Sequence, residues 1–276
     1  MDIFDFILKN EDMLPLLKDE SLSEIDFIKH CFTTRGGGVS EGIYKSLNLS
    51  FTRGDDEAAV LENYRRVAEY FGKTTADFVC TDQTHTTNVM RVGREHKGFG
   101  VTRKRSYTDI DGLVTDEPGI ILSAFFADCV PLYFVDQAHR AIGLSHSGWR
   151  GTVGRMGRST IDMMAKEFKS RPEDIITLIG PSICRDCYEV SEDVAEEFIR
   201  EFKGHEKEIL VKKGGGKYQL DLWRANEIVM TDAGIKPENI SVAGNCTCCN
   251  PDLLFSHRAS HGKRGNLGAF LMIRDF

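Results

Sequence analysis

The stretch from Ile120 to Val135, IILSAFFADCVPLYFV, is apolar at nearly every position. A strand with one wet face alternates apolar and polar residues, whereas a run apolar on successive positions needs both faces covered. At sixteen residues it falls short of the ~18–20 that a membrane span requires, and Asp128 and Pro131 interrupt it. It reads as two short buried strands, Ile120 to Phe126 and Val130 to Val135, joined at Ala127-Asp128-Cys129. Similar runs lie at Ala141 to Ser145, Ile175 to Ile179 and Ile240 to Ala243. Helices fall between them. Asp56 to Phe71 has acids at its start, spaced apolar residues and Gly72 as a stop. Ser191 can cap a helix through Phe202, Asp221 can cap one that stops at Gly234, and Thr152 to Phe168 is a fourth. This mixture predicts an α/β or α+β domain with helices covering sheet. No Gly-x-Gly-x-x-Gly follows a strand and no Walker A sequence occurs, which argues against a dinucleotide fold.

Composition narrows the function. A net charge of -7 over 276 residues argues against broad nucleic-acid binding, which needs a basic surface. Met1 to Asn10 carries Asp2 and Asp5 and no basic segment, so it does not read as a secretory signal. A cytoplasmic protein is expected, with no membrane partner. Eight cysteines in such a chain read as thiols or metal ligands rather than disulfides. Cys184-x-x-Cys187 and the cluster Cys246-x-Cys248-Cys249 could make a structural zinc site. The Cys-x-Cys-Cys spacing is awkward for one, and ordinary buried thiols are the expectation.

Three segments end in residues suited to one metal ion: Thr84-His85, Ala127-Asp128-Cys129 and Ser145-His146. Their separations, 44 and then 17 residues, exclude a local knuckle, whose ligands come in close pairs. Brought together by the fold, a His, a Cys and a His resemble a catalytic metal with an open fourth position. The bland alternative is three buried core residues. Around His146 the sequence RAIGLSHSGWRGTVG runs from a buried strand through a Gly-rich turn into a helix, and Arg150 adds a planar fork for phosphate or carboxylate. Cys129 lies between two buried strands, where a metal or a nearby His⁺ could hold it as thiolate. Asp128 could orient a ligand histidine or cap the turn. Gln83 and His85, two apart, would face one side of a strand. The glycines after Arg35 permit a close backbone approach, and His257 and Arg258, near Lys263 and Arg264, could face an anion or water.

Taken together, TTRGGGVSEGIYKSLNL, TDQTHTTNV, DGLVTDEPGIILSAFFADCVPLYFVD, HSGWRGTVGRM, IGPSICRDCYEV and NCTCCNPDLLFSHR resemble the laccase-domain family, also called multicopper polyphenol oxidase and, later, purine nucleoside phosphorylase. These stretches span residues 33 to 258. The chain has serines at 145 and 147, where the family usually has alanine beside the histidine. The resemblance implies one α+β domain over residues 1–276, with mixed sheets packed between helices and related to deamidase toxins with a Cys–His site. It implies zinc held by His85, Cys129 and His146, with copper a possible substitute. It further implies phosphorolysis of adenosine, inosine and guanosine, cleavage of methylthioadenosine, and adenosine deamination.

Blue multicopper oxidases take most of their copper ligands from His-x-His pairs. The eight histidines here, at 30, 85, 96, 139, 146, 205, 257 and 261, form none, so such a site is excluded in that form. Copper on a Cys/His₂ site could still give weak polyphenol oxidation. The His-x-Glu and Pro-Cys-x-x-Cys pattern of small zinc deaminases is also missing. For phosphorolysis, Arg150 is the leading phosphate candidate, followed by Arg35, Arg53, His257 and Arg258. Asn48 and Gln83 are candidates for sugar or base contacts, and Asp128 for general acid, beside Cys129 and His146. The rival readings are a thiol hydrolase or deamidase with Cys129 as nucleophile and His146 as base, and a zinc-stabilised binding module without turnover.

Overall fold

The apolar run divides into strands Ile121–Phe126 and Val130–Asp136, and each enters a different sheet. The computed structural model describes residues 14–275; the reading of Met1 to Asn10 lies outside them. One sheet has five strands in the order Leu16–Leu17, Ile28–Thr33, Leu267–Ile273, Ile121–Phe126 and Phe78–Cys80, with only the last pair parallel. The other has six, in the order Ile240–Val242, Ile175–Ile179, Val130–Asp136, Ala141–Ser147, Gly112–Thr115 and Val89–Arg91. It is antiparallel in its centre and parallel at its two edges. A small antiparallel sheet joins Glu189–Ser191, Lys217–Leu220 and Leu210–Lys212. The architecture is α+β, with mixed sheets between helices.

Alternating residues of one strand show why both faces are apolar. Tyr133 and Val135 point between the large sheets, onto the core shared with Leu122, Ala124, Phe126 and Leu271. Val130, Leu132 and Phe134 point outward, onto Ile161 and Met164 of the helix Met156–Phe168 and Val229 of the helix Leu222–Asp232. On the far side, Val60, Tyr64 and Val67 of the helix Glu57–Phe71 cover Phe78, Ile121 and Phe270. The layers therefore run helix, sheet, sheet, helix. Each large apolar side chain fully buried in them contributes about 1.5–3 kcal/mol. The Tyr133 hydroxyl, buried between the sheets, donates to the Cys31 carbonyl at 3.0 Å, which removes the cost of an unpaired polar atom.

Helix ends follow local chemistry. Asp56 accepts from the Ala59 N–H at 2.8 Å, and Gly72 closes the same helix in the left-handed conformation. Asp221 accepts from the Arg224 N–H at 3.0 Å. Ser191 precedes its helix, but its hydroxyl turns to Asp193 instead of the helix backbone. The helix expected over Thr152 to Phe168 is two, Trp149–Val153 and Met156–Phe168. Arg155 between them has φ +61°, and its guanidinium is held by Glu201 and Asp232. Among the described residues, no helix is long and apolar enough to cross a membrane.

Candidate metal centre

The turn Ala127-Asp128-Cys129 is where the chain passes from one large sheet to the other, with Asp128 at φ +91°. Val130 pairs with Ser147, and Pro131 with His146. Antiparallel pairing thus brings Cys129 beside the end of the His146 strand. His85 arrives from the other sheet. The expected strand through Gln83 and His85 is absent: Phe78–Cys80 ends before it, and His85 sits in a loop at φ +67°. The ligand atoms of His85, Cys129 and His146 all lie within 4.8 Å of one another. The Cys129 Sγ is 4.0 Å from His85 Nε2, and the two imidazoles meet edge to face at 4.9 Å.

Asp111 organises this group, and the sequence reading had not singled it out. Its carboxylate is fully buried and accepts the His146 Nδ1 at 2.8 Å. It also gathers the loop carrying His85, through the N–H groups of Thr84 at 3.1 Å, His85 at 3.2 Å and Thr86 at 2.9 Å and the Thr86 hydroxyl at 3.0 Å. Burial pulls the Asp111 carboxyl upward. The hydrogen bond and charge of His146, with the backbone donors, outweigh it and hold the group below the usual carboxylate range. With Nδ1 committed to Asp111, His146 Nε2 is the nitrogen left for a ligand, the carboxylate–histidine arrangement of metal sites. Of the two readings of Asp128, the one in which it orients a ligand histidine does not apply to His146, which Asp111 holds. One Asp128 oxygen accepts the Thr247 hydroxyl at 2.7 Å and the other the Arg258 N–H at 2.6 Å.

Burial would raise the Cys129 thiol, but the His146 charge and hydrogen bonds from His146 and His85 bring it down to about 6. Burial would lower His146 in turn, yet Cys129 and Asp111 raise it to about 9. Without metal the two form a thiolate–imidazolium pair. Gly148 gives them room: a Cβ there would lie 3.0 Å from His85 Cδ2 and 3.1 Å from Cys129 Sγ. The donor set fits a metal ion of borderline softness, with two imidazoles, one thiolate, a carboxylate behind one histidine and an open side kept by glycine.

Cations stand nearby. Arg53, Arg258, Arg264 and Asp128 all act electrostatically on His257; its imidazole is lowered by burial first and then by Arg264. Arg264 is buried, is lowered to about 10 by burial and Arg53, and has an Nε without a partner. Arg258 spans the Cys187 and Glu189 carbonyls and lies over the Tyr188 ring. Arg150 is exposed, with its guanidinium 4.2 Å above the Trp149 ring. The helix behind it has only five residues. Three expected substrate contacts already have partners within the fold. Arg35 donates to the Lys45 and Pro251 carbonyls. The buried Asn48 amide is saturated by Ser50, Asp55 and Asn266. Gln83 bonds both backbone groups of Phe125.

The profile of the family described as "Multi-copper polyphenol oxidoreductase laccase" matches residues 29–274. The chain belongs to this family. It is 35% identical to "Purine nucleoside phosphorylase YlmD" of Bacillus subtilis (strain 168) over 245 residues, 88% of each chain. It is 31% identical to "Adenosine deaminase RL5", from an unknown prokaryotic organism, over 89% of this chain and 94% of that one. The crystal structure of the hypothetical protein YfiH of Bacillus licheniformis superposes with a TM-score of 0.91 at 33% identity, covering 98% of this chain and all of that one. This laccase-family chain thus shares its fold with YfiH and most of its length with relatives whose names describe nucleoside chemistry.

Proposed function

We propose that the protein is a zinc-dependent purine nucleoside phosphorylase, converting adenosine, inosine or guanosine and phosphate into ribose 1-phosphate and free base. The observation that carries this reading is the convergence of His85, Cys129 and His146 within 4.8 Å, in a chain related over most of its length to proteins named for that activity. In phosphorolysis a phosphate oxygen bonds to C1′ of the ribose, the bond from C1′ to the base nitrogen breaks, and the base leaves with a proton. His85, Cys129 and His146 hold the zinc, which supplies Lewis-acid polarisation when bound.

The protein's own groups do the rest. Arg264, with its unpartnered buried Nε, Arg53 and His257 receive the phosphate, and Arg150 closes its exposed side. Arg258 and Asp128 are positioning residues, since the Asp128 oxygens and the Arg258 fork are engaged within the protein. Methylthioadenosine is a further substrate. The relative named adenosine deaminase motivates hydrolytic loss of the adenosine amino group as a side activity.

Base release from adenosine and inosine, with and without phosphate, on protein of measured zinc content tests this. Turnover that requires phosphate, tracks zinc and vanishes in Cys129→Ala and His146→Ala is expected. A second reading rests on the lowered Cys129 thiol: without metal, Cys129 would be a nucleophile and His146 its base. Absent turnover, no zinc on His85, Cys129 and His146, and rapid labelling of Cys129 by thiol reagents would overturn the phosphorylase and favour the hydrolase.

A further inference from the structure

The eight cysteines are free thiols, and four of them converge away from His85 and His146. Cys184, Cys187, Cys246 and Cys249 place their sulfurs within 4.8 Å of one another. Cys187 and Cys249 are 3.4 Å apart, and Cys184 and Cys249 4.0 Å. Four thiolates around one zinc at about 2.3 Å stand about 3.8 Å apart at tetrahedral angles, so the cluster has the dimensions of such a shell before any ion is added. Ordinary buried thiols are the expectation from sequence; the four sulfurs converge, and Cys249 among them is exposed. The awkward Cys-x-Cys-Cys spacing dissolves once Cys248 is set aside: Cys246-x-x-Cys249 and Cys184-x-x-Cys187 are two close pairs, the usual spacing of structural zinc.

The frame around the sulfurs is built from backbone. Ser182 N–H donates to the Asn245 carbonyl at 3.1 Å, and Thr247 N–H to the Ser182 carbonyl at 3.2 Å, so the two loops pair side by side. The short turn Arg185–Cys187 closes through Cys187 N–H to the Cys184 carbonyl at 3.1 Å. The Cys246 sulfur accepts the N–H groups of Cys184 at 3.3 Å and Cys249 at 3.4 Å. Without an ion, burial and the neighbouring sulfurs push the Cys187 thiol far above its ordinary range; a divalent charge at the centre would reverse that repulsion. Four soft sulfur ligands around one ion select zinc over hard cations.

We propose that Cys184, Cys187, Cys246 and Cys249 form a second, structural zinc site that fastens the two loops bracing Asp128. Ile183 N–H donates to the Asp128 carbonyl at 3.0 Å, the Thr247 hydroxyl donates to its carboxylate, and Arg258 bonds the Cys187 carbonyl. The ion would thus fix the wall behind Cys129 without facing substrate. The site stands whether or not the phosphorylase reading holds.

The test measures zinc per chain, with X-ray absorption of the zinc shell, on full-length protein purified under reducing conditions. Cys129→Ala/His146→Ala leaves the four cysteines intact. It is expected to retain about one zinc surrounded only by sulfur at about 2.3 Å. Cys184→Ser/Cys249→Ser is expected to lose that all-sulfur zinc while keeping any ion held by His85, Cys129 and His146. If this variant does not fold, the first variant and the wild type still decide the matter. Zinc-free Cys129→Ala/His146→Ala protein, or a Cys187–Cys249 disulfide in place of an ion, would overturn the proposal.

Discussion

Replacing Asp111 by Asn changes one atom in a buried site and should remove His146 as a metal ligand. The carboxylate serves five donors, two at one oxygen (His146 Nδ1 and His85 N–H) and three at the other (the N–H groups of Thr84 and Thr86 and the Thr86 hydroxyl). An amide has a single acceptor oxygen, and it satisfies more donors on the three-donor side. Its NH₂ then faces His146 Nδ1. The imidazole answers by moving its proton to Nε2, accepting at Nδ1 and losing the lone pair that a metal needs. Loss of such a supporting carboxylate typically costs 10–100-fold in metal affinity, or about 1.4–2.7 kcal/mol. The His85 N–H left facing the NH₂ adds about 1–3 kcal/mol of lost folding stability. Competition with a chromophoric zinc chelator measures the first quantity and urea denaturation the second. The four-cysteine cluster, untouched by the substitution, serves as an internal reference. Zinc affinity equal to that of the parent, in a variant that is folded, would refute the idea that Asp111 sets the tautomer.

Other expectations concern pH and space. His30 is buried and accepts the Asp19 N–H at 3.0 Å, and burial above all lowers it from 6.5 to about 4. Because the unfolded chain binds the proton more readily, its contribution is complete above about pH 6.5 and is lost as pH falls toward 4, about 3 kcal/mol in all. Urea midpoints at neutral pH and pH 4.5 should therefore diverge less in His30→Gln than in the parent; equal divergence would contradict this. In zinc-free protein, alkylation of Cys129 followed on its own peptide should rise through about pH 6, since the thiolate is the reactive form; a midpoint in the ordinary thiol range would show that His146 does not sustain the ion pair. Gly148→Ala keeps a backbone open to any residue, at φ -76° and ψ -175°, but drives a methyl against Cys129 and His85. Zinc affinity should fall roughly tenfold with little change in melting temperature, and the reverse pattern would mean that the glycine serves folding alone.

Five strands were legible because burial on both faces leaves no polar alternation, whereas Ile28–Thr33 and Leu267–Ile273, neighbours in the five-stranded sheet, were not read; the helix starts at Asp56 and Asp221 were legible because an acid there accepts an orphan N–H. The two ligand-bearing strand ends followed from the same pattern. Asp111 was not legible, because its partners His85 and His146 lie 26 and 35 residues away. The break at Arg155 was hidden as well, because the distant Glu201 and Asp232 hold the arginine there. Arg35, Asn48 and Gln83 show the opposite difficulty, since polar residues beside a motif look like substrate contacts until their fold partners are known. Among three cysteines in four positions, only the tertiary structure selects the pair that meets Cys184 and Cys187.

The crossing of the chain between sheets makes the candidate metal centre asymmetric. Cys129 and His146 are neighbours at the end of one hydrogen-bonded ladder and form a fixed two-point seat. His85 is the exposed member, and its loop is pinned to that seat by Asp111 through the N–H groups of Thr84, His85 and Thr86. An ion or a fourth ligand therefore approaches from the exposed His85 side, while the buried His146 and the two sheets close the site from behind.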